Sequence, residues 1–260
     1  MSETILVRGA RQLLTVREGA RGLGVIADGS LLIRGGFIVQ AGPTRRVENL
    51  AAARQAREIE AAGRVVMPGF VDCDAALGCA RPGERATRLA ARARATAAIM
   101  LRHGTTTMGV RAAEVRILRA LAKLDEGPWN IVPVYTGDAE KLPRLWRRKF
   151  LHFADTAVDG VLATRGETES MQGVVSLACL RQGLPPEEAL RAATLSAAHA
   201  LRFAERVGSL EPGKQADLLL LNCSDYRQIP SRVGVNHVHL TMKLGKIVYQ
   251  EGSAGEWPEP

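Results

Sequence analysis

Apolar and polar positions follow three rhythms along the chain. Residues 1–64 hold short apolar runs of strand length, at 4–16 (TILVRGARQLLTV), 30–34 (SLLIR) and 37–41 (FIVQA), the last two joined by Gly35-Gly36. A Gly-Gly link tolerates positive φ at both central positions and so predicts a hairpin. From residue 65 to about 206, apolar strands alternate with helical periodicity. Segment 64–72 precedes a helix over 84–104, 105–111 a helix over 112–127, and 130–137 a helix over 140–155. Segment 158–165 precedes two helices, over 170–183 and 185–204, the second with Pro and Glu in its first turn. Such alternation predicts a parallel sheet. Strands return after 207, with a Glu-Pro-Gly turn inside 207–222 and a final hairpin over 238–252. The pattern predicts an α/β protein: a composite β domain from 1–64 and 207–252, a central domain over 65–206, and a tail at 253–260.

Composition narrows the function classes. At 260 residues, 46% hydrophobic and 24% charged, the chain is long and apolar enough for a large core. No apolar run reaches the roughly 18 residues of a membrane span, and the polar start lacks a signal-peptide core, so a cytoplasmic protein without membrane attachment is expected. Cys73, Cys79, Cys179 and Cys223 show no CxxC spacing and are expected to be reduced. The net charge of +8 raises nucleic-acid binding, but 29 arginines against 6 lysines are spread along the chain. Only 144–150 (RLWRRKF) is dense, and aromatic residues at 4% offer few stacking platforms. A basic binding module built on 144–150 is therefore a minor alternative.

Several segments, in order, carry a resemblance: RVVMPGFVDCD, LRHGTTTMGVR, EVRILRALAKLDEGP, the run 169–201, VGSLEPGKQADLLLLNCSDY and KLGKIV. The chain resembles the metal-dependent amidohydrolase superfamily and, within it, is most similar to the imidazolonepropionases. The resemblance implies a small β-sandwich built by both termini around a (β/α)₈ barrel, with metal at the C-terminal ends of the strands, where the βα loops converge.

The family's ligands do not carry over. Its members place two metal-binding histidines one residue apart after the first barrel strand, where residues i and i+2 point the same way and grip one ion. Those positions fall on Asp74 and Ala76 here, and alanine has no ligand atom. The family's late aspartate falls on Arg165, whose guanidinium opposes a divalent cation. Another active-site histidine corresponds to Asp138 or Ala139. No cofactor is expected, and zinc or iron only if the family site is retained.

The central stretch is also short for a barrel of about 250 residues. After 150–161 the sequence passes almost directly to 162–173, which resembles the last barrel strand. The implied remnant is a truncated barrel of about four βα units, a half-barrel of strands eight, one, two and three, with open edges and an exposed apolar inner face. A homodimer completing the barrel is expected, or pairing with an intact amidohydrolase paralogue. The alternative is a four-stranded open sheet covered by its own helices.

Remaining candidates are weak. Asp72, Asp74 and Asp138 are the acids available for a catalytic site, but general acid-base work needs a shaped pocket and separated pKa values. Asp72 reads as a hydrogen-bonded loop anchor. Cys73 lies between two acids that disfavour its thiolate. His237 and His239 repeat the His-x-His spacing in the C-terminal β region. His103, His152 and His199 read as packing residues. The functional expectation is a degenerate amidohydrolase homologue, a pseudoenzyme acting as scaffold, regulator or partner. The alternative is a residual hydrolase of carbon–nitrogen bonds in cyclic amides.

Overall fold

The computed structural model describes residues 3–75, 77, 84–112, 114, 117, 127–135, 151–152, 160–165 and 168–252. Strands from both ends of the chain form one mixed sheet: β1 (Thr4–Leu14), β2 (Val25–Arg34), β3 (Phe37–Pro43), β4 (Arg57–Glu60), β5 (Val65–Pro68), β10 (Leu218–Leu221), β11 (Val238–Lys243) and β12 (Lys246–Gln250). Their order is β12-β11-β10-β5-β1-β2-β3, with β4 also paired to β1. β5 is the joint, parallel to β1 through Gln12↔Val65 and antiparallel to β10 through Leu221↔Val65. One core takes Ile5, Leu13, Leu31 and Ile33 from the first segment and Leu218, Leu220, Leu240 and Met242 from the last. The predicted hairpin closes at Arg34↔Phe37, and both link glycines have positive φ. A Cβ on Gly36 would lie 2.7 Å from the Leu244 carbonyl oxygen, so glycine also permits the approach of the β11–β12 turn.

The run predicted as one strand over 64–72 divides at Pro68-Gly69. Pro68 has no N–H to continue a ladder, and the Gly69 N–H turns to the Asp217 carbonyl at 3.0 Å. Beyond the break, β6 (Phe70–Ala75) opens a second sheet with β7 (Thr105–Ala112), β8 (Asn130–Tyr135) and β9 (Leu151–His152). All its pairings are parallel, in the order β6-β7-β8-β9.

Helix α2 (Ala86–Arg102), which follows the short α1 (Thr44–Glu48), covers one face of this sheet. Leu89, Ala93, Ala97 and Met100 recur at helical spacing and bury Met108, Val110 and Ile131. The other face is covered as well. Val71 and Val134 lie in one core with Leu195, Ala197 and Leu201, drawn from α5 (Leu195–Ala200) and the turn after it. A Cβ on Gly109 would sit 2.6 Å from Leu201 Cδ2 and from the Cys73 carbonyl oxygen. The expected exposed inner face is therefore absent among the described residues. In this respect the described residues agree with the alternative, an open sheet covered by its own helices.

Three further expectations change. The fourth strand is Leu151–His152, inside a predicted helix, and the described part of the segment predicted over 158–165, residues 160–165, forms no strand. Thr164 and Arg165 lie beside β6, Thr164 bonding to the Asp72 side chain and the Arg165 N–H to the Asp74 carbonyl, but residues 160–165 form no ladder. The helix predicted over 185–204 is two, α4 (Pro186–Ala192) and α5, following α3 (Met171–Gln182). It breaks at Thr194, whose hydroxyl donates to the Leu190 carbonyl at 2.7 Å and whose ψ is −92°. Of the helices predicted over 112–127 and 140–155, nearly all lies outside the described residues, as does the tail at 253–260. α6 (Gln228–Ser231) is the last α-helix among the described residues. Among the described residues, no helix is long and apolar enough to cross a membrane.

Candidate functional site

β6 carries Asp72, Cys73 and Asp74 at its C-terminal end. Asp72 is 0% exposed. Its Oδ2 accepts the Thr164 hydroxyl at 2.5 Å, and its Oδ1 accepts the Asp74 N–H at 3.0 Å and the Thr164 N–H at 3.3 Å. Burial pushes this carboxyl up to about 6, against hydrogen bonds that favour the charged form. Enclosed in this way, Asp72 ties β6 to residues 160–165 and presents no free oxygen to a substrate.

Asp74 points elsewhere. Its half-buried carboxylate forms an ion pair with the Arg111 guanidinium from β7, and its carbonyl accepts the Arg165 N–H at 3.2 Å. Arg165 is exposed and has φ 51°, a left-handed conformation uncommon outside glycine, held by the neighbouring Thr164–Asp72 bonds. The Cys73 thiol is raised to about 12 by burial and then by Asp72 and Asp74, with Arg165 acting weakly the other way. It stays a thiol at neutral pH, so nucleophilic chemistry is closed to it. Ala76, Cys79, Asp138 and the basic cluster at 144–150 lie outside the described residues.

The histidines are scattered among separate elements. His103 Nδ1 lies 2.9 Å from the Ile99 carbonyl oxygen, capping α2. His199 pairs with Glu18 at 2.6 Å on the surface. His239 Nδ1 is 3.6 Å from Glu251, while His237 is buried with Nε2 unpartnered among the described residues. The side chain of His152 is outside the description. No group of three or more His, Cys, Asp or Glu side chains placed to hold a metal occurs among the described residues.

Two features escaped the sequence reading. A 620 Å³ groove is lined by Arg8, Asp28, Thr44, Arg45, Glu48 and Glu60, on the large sheet and without Asp72 or Asp74 in its lining. Its charges are already partnered in part, Arg8 bonding to Glu48. The second is the buried Lys243–Asp217 pair at 2.7 Å, with Lys243 Nζ also donating to Gln215 at 3.0 Å. Gln215 in turn accepts from Asn130 on β8 at 3.3 Å, so the network joins the two sheets. Apolar runs conceal such a pair, because each member stands alone in its own strand or turn.

Known proteins resemble the chain in part. Residues 155–248 match the model of the amidohydrolase family. The imidazolonepropionase of Geobacillus kaustophilus is 48% identical over 103 residues, 38% of this chain and 24% of that protein. That of Herpetosiphon aurantiacus is 49% identical over 80 residues, 31% and 19% of the two chains. These matches thus span about a quarter of the relatives' length or less. Among solved structures, molinate hydrolase superposes with a TM-score of 0.70 at 14% identity, covering 95% of each chain. The guanine deaminase of E. coli gives 0.65 at 15% identity, covering 96% of this chain and 99% of that one. At such identities the likeness is one of fold, that of the barrel-like amidohydrolase-fold enzymes.

Proposed function

We infer that this chain, which resembles the amidohydrolase family over part of its length, is a degenerate homologue that acts as a scaffold, regulator or partner and not as a hydrolase. The observation that carries the reading is the Asp74–Arg111 ion pair. Asp74 is the one residue with a ligand atom at the two first-strand positions, and an internal guanidinium already neutralises it. Arg165 occupies the late aspartate's position, and Ala76 offers no donor. This donor set does not fit a divalent ion, which needs several anionic or imidazole ligands directed at one point. In this reading β6, β7 and β8 correspond to the first three barrel strands and residues 160–165 to the eighth. The large sheet corresponds to the β-sandwich. Its partner in this reading is an intact amidohydrolase, because the chain already covers its own sheet.

The test is metal retention. Purified chain, incubated with Zn²⁺ or Fe²⁺ and dialysed, is expected to keep below about 0.1 ion per chain by elemental analysis, and to leave cyclic amides unhydrolysed. One ion per chain, lost in Asp74→Ala together with hydrolysis, would overturn the reading.

A residual hydrolase using Asp72, Asp74 and Asp138 is the second reading. The raised titration of Asp72, suited to a general acid, favours it. Its complete enclosure counts against it, and the same assay decides.

A further inference from the structure

Val233 and Val235 are exposed on the segment between α6 and β11, yet His237, two positions on, is only 4% exposed. Asn236 and His237 act as a strap. The Asn236 amide donates to the Arg102 carbonyl at 3.1 Å, at the end of α2, and its Oδ1 accepts from Gln172 of α3 at 2.9 Å. Gln172 also donates to the His103 carbonyl at 3.1 Å and accepts the His237 N–H at 3.0 Å. The His237 carbonyl accepts the Asn222 N–H at 2.7 Å, just past β10. Two consecutive residues thus fasten the end of α2, the start of α3 and the end of β10.

The strap's anchor is an imidazole whose buried Nε2 meets no partner among the described residues. A neutral ring suits that place. An imidazolium would put an N–H where no described residue accepts it. The surrounding charges do not supply an acceptor. Arg232, on the strap itself, is a cation that acts against a second positive charge. Beyond β10, the Asn222 side chain is engaged by Arg64 and Glu251, and Glu251 lies beside His239. The end of α2 contributes Arg102 and His103, and α3 contributes the uncharged Gln172.

We propose that residues 232–237 form an acid-released latch: protonation of His237 frees the strap and, with it, the last turn of α2 and the first turn of α3. Burial and then the charge of Arg232 hold the imidazole below the ordinary histidine range, and a hydrogen bond to the Asn222 main chain opposes them. A group depressed in the folded state gives stability that is complete above its unfolded pKa and is lost as pH falls through the folded one. The latch is therefore closed at neutral pH and opens on mild acidification.

Hydrogen exchange read by mass spectrometry tests this between about pH 7.5 and about pH 5.5, either side of ordinary histidine titration. After correction for intrinsic rates, peptides covering 99–105, 170–176 and 232–238 should exchange about tenfold faster at the lower pH. His237→Gln should abolish that acid response. Arg232→Gln, which removes the opposing cation without touching the strap's bonds, should move the midpoint to higher pH. An unresponsive wild type, or an equal response in His237→Gln, would overturn the latch.

Discussion

Asp72 shows what one buried carboxyl does to a fold. It titrates near 6 in the folded chain and near 3.8 when free, so the folded state holds its proton more tightly. The stability linked to it is complete below about pH 4 and lost as pH rises through about 6, a total of roughly 3 kcal/mol. Chemical denaturation across that interval should show the wild type losing stability relative to Asp72→Asn, in which no charge can form. Parallel pH profiles for the two would refute the assignment. Asp72 was legible as an anchor through the resemblance of its strand end to the amidohydrolase family, which commonly places an aspartate there. The pairing of Asp74 with Arg111 was not legible. It depends on a register shift between Asp72 and Ala75 in the β6–β7 ladder, which no spacing in either segment encodes.

Strands and helices with clear periodicity were readable, and their misreadings have local causes. The hairpin at Gly35-Gly36 and helix α2 follow from φ preferences and apolar spacing alone. Thr194 breaks the expected long helix through a side-chain bond to its own backbone, and a helical pattern does not reveal such competition. Between elements, the decisive contact is Lys243–Asp217, 4% and 2% exposed. Lys243→Met leaves the Asp217 carboxylate buried without its cation and should cost about 3–5 kcal/mol in denaturant unfolding. Adding Asp217→Asn removes the stranded charge while keeping an acceptor for the Leu244 N–H, so the double variant should recover more than half of the loss. Without recovery, the lysine's role would be packing of its stem and not charge.

For the whole molecule, a central unit too short for a closed barrel was the expectation, and from it an exposed inner face. The sequence did not show where residues 193–204 would go. They turn back against β6 and β7, so that Leu195, Ala197 and Leu201 bury Val71 and Val134. Small residues make this possible. Gly109 leaves room for Leu201, and the alanines of α5 let the helix lie close to the sheet. A chain that covers its own sheet does not need a second copy to fold, whereas a dimer that rebuilds the barrel would gain stability by mass action. Thermal unfolding should therefore give the same Tm over about a hundredfold range of protein concentration. A Tm that climbs with concentration would mean that a second copy is part of the folded state. Residues 193–204 would then have to leave the face they cover for the partner's strands to enter.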